Sequence, residues 1–91
     1  MFKTLEELIA VIRQRRESTS EESYTKKLLN NKNLNIEKVK EEISELIDAI
    51  EKNTNKIHEA ADVLYHLMVL LEANDIKIED VMDELEKRKK K

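Results

Sequence analysis

The chain has no cysteine, no proline and no glycine, and its 91 residues include only two tyrosines and one phenylalanine as aromatics. Without cysteine there is no disulfide, no thiol nucleophile and no thiolate metal site. Glycine and proline serve the turns of mixed and β folds. Their absence, together with 41 % charged residues and abundant Leu, Glu and Lys, points to an all-α protein, a small bundle of four to five helices. So few aromatics leave a core of Leu, Ile and Val. At this length only roughly 60–65 % of the unfolded surface can be buried, so pairing with a second copy is expected. Turn duty falls to asparagine, which tolerates the left-handed conformation better than other non-glycine residues, at Asn30, Asn31, Asn33, Asn53, Asn55 and Asn74.

Long apolar runs are also missing. The most apolar stretch, in the fourth helix, is too short and too interrupted to cross a bilayer, and the first apolar stretch carries glutamates, unlike a secretory signal. A cytoplasmic location with no membrane partner is the expectation. Seventeen basic residues against twenty acidic ones, net −3, give no reason to expect a nucleic-acid partner. No repeat or linker divides the chain, and residues 1–91 read as one domain.

Five helical segments follow in order. Thr4-Leu5-Glu6-Glu7 has the pattern of a capping box and opens a helix with a stripe of Leu5, Leu8, Ile9 and Ile12. Arg13, Arg15 and Arg16 fall in its last turns, either as a solvated, dipole-favoured end or as phosphate-binding groups. Ser18 or Ser20 is expected to cap a short helix from about Glu21 to Leu29, in which Ser23, Tyr24, Thr25, Lys26 and Lys27 gather the hydroxyl and ammonium groups a polyphosphate site needs. An asparagine-rich loop from Asn30 to Asn35 is expected next, with Asn35 capping a third helix striped by Ile36, Val39, Ile43, Leu46, Ile47 and Ile50. The chain reverses near residues 52–54. A fourth helix ends at Asn74-Asp75, and Ile78, Val81, Met82 and Leu85 mark a fifth before a basic, fraying tail.

The fourth helix carries the argument about function. From Ile57 to Leu71 it is apolar on nearly every side and should be buried, yet His58, Glu59, Asp62, Tyr65 and His66 recur at helical spacing along one face. Adjacent carboxylates on a buried helix repel each other and lose hydration, so they need a cation or strong donors opposite. Glu42 and Glu45 lie about as far before the reversal as Glu59 and Asp62 lie after it, so an antiparallel hairpin sets the two pairs level. Four oxygen donors suit a hard cation, Mg²⁺ or Mn²⁺, which commonly bridges to phosphates. His66 reads either as a satisfied core histidine or as a substrate contact, and His58 as structural.

Glu42-x-x-Glu45, followed after 13 residues by Glu59-x-x-Asp62, resembles the divalent-metal signature of the MazG-like, all-α nucleotide pyrophosphohydrolases. Ser23-Tyr24-Thr25-x-Lys27-Leu28-Leu29, Glu41-Glu42-x-x-Glu45-Leu46 and Glu59-Ala60-Ala61-Asp62-Val63-Leu64-Tyr65-His66 stand in the order and spacing of the phosphoribosyl-ATP pyrophosphohydrolases of histidine biosynthesis, and the resemblance runs from the Leu5 helix to about Leu85. Two positions depart from that pattern. Lys40 stands where the family usually has glycine, and Asn53-Thr54-Asn55 replaces a glycine-containing turn.

The resemblance implies a homodimer that hydrolyses the α–β phosphoanhydride of phosphoribosyl-ATP to phosphoribosyl-AMP and pyrophosphate. It implies Mg²⁺, with Mn²⁺ as substitute, on Glu42, Glu45, Glu59 and Asp62. Glu41 or Glu45 would assist catalytically, with Glu41 as general base or ligand of a second ion, and Lys27, Lys26, Arg16 and Tyr24 would meet the phosphate charge. Three rival readings share these residues: a house-cleaning pyrophosphohydrolase of (d)NTPs, a non-enzymatic helical interaction module, and a di-iron bundle, which would want two Glu-x-x-His motifs where Glu59 has Asp62 instead.

Overall fold

The computed structural model describes residues 2–17 and 23–89, and five helices make up nearly all of them: α1 (Lys3–Glu17), α2 (Tyr24–Leu29), α3 (Lys32–Lys52), α4 (Lys56–Ala73) and α5 (Ile78–Arg88). No strand occurs among the described residues. The expected caps at Ser18 and Ser20 and the start at Glu21 lie outside the described residues, as does the tip of the basic tail.

Helix starts differ from expectation in three places, each for a local reason. The Phe2 carbonyl already accepts from the Glu6 amide at 3.1 Å, so α1 begins ahead of Thr4. Ser23, extended at φ −74° and ψ 134°, caps α2 by accepting from the Lys26 amide at 3.4 Å. Asn31, not Asn35, caps α3, its Oδ1 accepting from the Leu34 amide at 3.1 Å. The expected loop is thereby shortened to two residues. Several asparagines in a row can each serve as a cap, and packing selects among them: starting at Lys32 lets Leu34 reach the core. Asn35 is carried inside the helix, 0 % exposed, with neither side-chain polar atom partnered.

The reversal between α3 and α4 is where asparagine was expected to punctuate. Asn53 sits at φ 56°, the Thr54 amide donates to the Ala49 carbonyl at 3.0 Å and the Asn53 amide donates to the Ile50 carbonyl at 3.3 Å, a Schellman closure with asparagine in the place of glycine. Asn55 follows at φ 47°. At the far end of α4 the left-handed residue is Asp75, φ 58°, next to the expected Asn74.

α3 and α4 form the dominant helix pair, an antiparallel hairpin. α1 and α2 pack on the C-terminal half of α4 around Ile12, Leu28, Met68 and Val69, and Leu8, Leu34, Leu71 and Ile78 pack against that cluster. Arg13 on α1 ties this end together, bonding Glu72 on α4 at 3.2 Å and Glu79 on α5 at 2.9 and 2.7 Å. The expected burial of α4 is confined to this half, where His66, Met68 and Val69 are buried and the other residues from Tyr65 to Ala73 are half-buried. At the other end Ile57 is 88 % exposed, and Leu64 of α4 and Ile43, Ile47 and Ile50 of α3 are exposed as well.

Candidate metal centre

The hairpin brings the two glutamate-bearing segments level. α3 sets Glu42 and Glu45 one turn apart, and α4 sets Glu59 and Asp62 one turn apart on the facing surface. Carboxylate oxygens of Glu42, Glu45 and Glu59 lie within 4.8 Å of one another, and a second group, His58, Glu59 and Asp62, meets the same limit. The two groups share Glu59.

Glu42 is only 8 % exposed, and its Oε2 is buried with no hydrogen-bond partner; Oε2 of Glu59 is in the same position. Burial raises the Glu42 pKa above the ordinary carboxylate value, and the charges of Glu45 and Asp62 raise it further. Glu59 is raised for the same reasons, burial first and then Glu45 and Asp62, with His58 opposing. Carboxylate oxygens converging from two helices, two of them without a partner among the described residues, are donors of the kind a hard divalent cation takes. The residues therefore fit such an ion.

Beyond Asp62 lies an ordered aromatic corner. His66 is buried, with Nδ1 2.9 Å from the Asp62 carbonyl and Nε2 3.2 Å from the Tyr24 hydroxyl. A carbonyl only accepts, so Nδ1 carries the proton and Nε2 accepts from Tyr24. Thr25 and Tyr65 share a hydroxyl–hydroxyl bond, Tyr24 stacks on Tyr65 with centroids 6.5 Å apart, and His66 meets both rings edge-on. Tyr24 and Thr25 of the Ser23-Tyr24-Thr25 segment and the Tyr65-His66 pair, read separately in sequence, are thus one unit that fixes α2 against the carboxylate-bearing side of α4. Burial raises the Tyr24 hydroxyl above its ordinary pKa.

Other residues singled out in the sequence fall elsewhere. Arg16 donates to the Glu72 carbonyl at 2.7 Å and pairs with Asp75, and Lys26 Nζ donates to the Arg16 carbonyl at 2.8 Å. Glu72 is 13 residues beyond Glu59 on α4, about 20 Å along the helix, so in this structure Arg16 is engaged at the opposite end from the carboxylates. Lys27 is exposed on α2. Glu41 is exposed with its Oε2 3.5 Å from Lys38 Nζ, and Lys40 turns outward to Glu37 at 3.8 Å, so its side chain does not crowd the centre. His58 is exposed, with Nε2 3.4 Å from Asp62 Oδ2. The i,i+4 spacing to Asp62 was the available signal.

This geometry defines a class, an all-helical protein with converging carboxylates between two antiparallel helices, suited to a hard divalent cation. Within that class the chain belongs to the phosphoribosyl-ATP pyrophosphohydrolase family, whose family model matches residues 5–89. Among its relatives is the phosphoribosyl-ATP pyrophosphatase of Clostridium novyi, 46 % identical over 92 residues, covering 96 % of this chain and 82 % of that protein. The phosphoribosyl-ATP pyrophosphatase of Haloarcula marismortui is 40 % identical over 90 residues, covering 93 % of this chain and 92 % of that one. The histidine biosynthesis bifunctional protein HisIE of Pyrococcus furiosus is 46 % identical over 87 residues, covering 94 % of this chain but 41 % of the longer protein. No helix among the described residues is long and apolar enough to cross a membrane.

Proposed function

We propose that this chain hydrolyses phosphoribosyl-ATP to phosphoribosyl-AMP and pyrophosphate in histidine biosynthesis, as a single domain spanning residues 1–91. The observation that carries the reading is the pair of buried, unpartnered Oε2 atoms of Glu42 and Glu59, converging with Glu45 in a chain of this family. Glu42, Glu45, Glu59 and Asp62 are the ligands. Held by these residues, Mg²⁺ or Mn²⁺ would supply charge neutralisation for the polyphosphate and would make water easier to deprotonate.

The chain's own groups do the rest. Glu41, beside the ligands on α3 and exposed, accepts a proton from the attacking water, with Glu45 as the alternative acceptor. Lys27 meets phosphate charge from α2, joined by Tyr24 and His66 of the aromatic corner. Arg16 and Lys26 serve instead to tie α1 to α2 and α4, Arg16 on the Glu72 carbonyl and Lys26 on the Arg16 carbonyl.

A second copy of the chain completes the molecule. Ile43, Ile47 and Ile50 on α3 and Ile57 and Leu64 on α4 are large, exposed and adjoin the carboxylates, so a homodimer that covers them also closes the site against water. A soluble nucleotide substrate fits a cytoplasmic location.

The test is metal-dependent pyrophosphate release from phosphoribosyl-ATP against a panel of NTPs and dNTPs, with wild type and Asp62→Ala. Preference for phosphoribosyl-ATP, lost in the variant, supports substrate and site together. Release from dNTPs alone moves the chain to the house-cleaning activity, and no release from any substrate sinks the enzymatic reading.

A further inference from the structure

We propose that His58 supplies a nitrogen ligand to the carboxylate centre, so that this chain prefers Mn²⁺ or Co²⁺ to Mg²⁺. The inference rests on the carboxylate centre being a cation site and goes beyond it by assigning a fifth donor of different chemistry. Three observations carry it. His58 opens the first turn of α4, its Nε2 is 3.4 Å from Asp62 Oδ2, and ligand atoms of His58, Glu59 and Asp62 fall within 4.8 Å of one another. Glu59 belongs equally to the group with Glu42 and Glu45, and Oε2 of both Glu59 and the nine-tenths-buried Glu42 is unpartnered, so the imidazole borders a centre with unspent donor capacity. The chain has two histidines, and both ring nitrogens of His66 are engaged, by the Asp62 carbonyl and the Tyr24 hydroxyl. His58 is left as the imidazole facing the carboxylates.

The consequence follows from ligand chemistry. Mg²⁺ favours oxygen donors and retains its waters, whereas imidazole suits the transition ions, whose affinity for nitrogen rises from Mn²⁺ to Co²⁺. An exposed His–Asp pair on a helix surface contributes little to stability, so fold maintenance does not require it. His58 is exposed enough that removing it leaves the packing intact.

The test uses the full-length chain loaded with Mn²⁺ alone. Electron spin echo measurements should show nitrogen-14 modulation from a coordinated imidazole in wild type and none in His58→Ala, while calorimetry shows Mn²⁺ affinity reduced about tenfold and Mg²⁺ affinity unchanged within about twofold. Normal Mn²⁺ binding without nitrogen modulation, or modulation that survives in His58→Ala, overturns the assignment of His58 and leaves the carboxylate centre standing. A wild type that binds neither ion overturns both.

Discussion

The two halves of α4 are built on opposite principles. Its C-terminal half lies in a closed aliphatic cluster with Ile12 and Leu28, and its charges are matched, Glu72 taking Arg13 and Arg16. Its N-terminal half gathers like charges, Glu59 and Asp62 against Glu42 and Glu45, beside exposed isoleucines. The carboxylate on α4 at the closed end meets two guanidinium groups, whereas at the open end Oε2 of Glu59, like that of Glu42 facing it, has no partner. Stability therefore resides at the closed end, and the open end is where the proposed cation site lies.

Breaking the open end should cost activity rather than stability. Glu59→Gln is expected to lower pyrophosphate release from phosphoribosyl-ATP by about 10²–10³-fold, while the metal-free melting temperature holds or rises because a repelled charge has gone. Equal loss of activity and metal-free stability would blur the division. At the closed end the reverse is expected. Leu28, fully buried, should cost about 2–5 kcal/mol when replaced by alanine, a fall of more than about 10 °C in melting temperature, with metal affinity of the folded fraction retained.

A smaller effect separates the apolar rim from the carboxylates within the open end. Ile47→Lys should shift the sedimenting species from dimer to monomer; an unchanged dimer would place the interface elsewhere. The smallest concerns pH, where the two ends carry opposite signs. The guanidinium of Arg13 pulls the Glu79 pKa down to about 2, so its contribution is present above the ordinary carboxylate value near 4.5 and is lost as pH falls from there through about 2. Glu42 is raised, so in metal-free protein its contribution is present below its ordinary value and is lost as pH rises through the raised one. Arg13→Ala should flatten the acid limb of a stability–pH curve, and Glu42→Gln the limb above it.

Much of this was legible in the sequence because it depends on spacing. The absence of glycine and proline, the apolar stripes and the asparagine pair at Asn53 and Asn55 define the hairpin, and the hairpin sets Glu42, Glu45 and Glu59 together. What escaped depends on tertiary choice. Nothing local distinguishes Asn31 from Asn35 as a cap; the burial of Leu34 decides it. The long reach of Arg16 to Glu72 and Asp75 joins residues more than 50 positions apart, a pairing that helical periodicity does not encode. Apolar character on nearly every side of α4 predicts burial, and the exposed Ile57 shows that sequence hydrophobicity does not say which surface covers it.

The central claim, that the orphaned carboxylates form a cation site, is tested most directly by thermal unfolding of wild type and Glu42→Gln across a Mg²⁺ titration. Wild type should gain about 2.7 kcal/mol at one hundred times the dissociation constant, with a melting temperature that climbs with Mg²⁺, and Glu42→Gln should start more stable without metal and respond weakly. A variant that tracks wild type through the titration, or a wild type indifferent to Mg²⁺, would contradict the account.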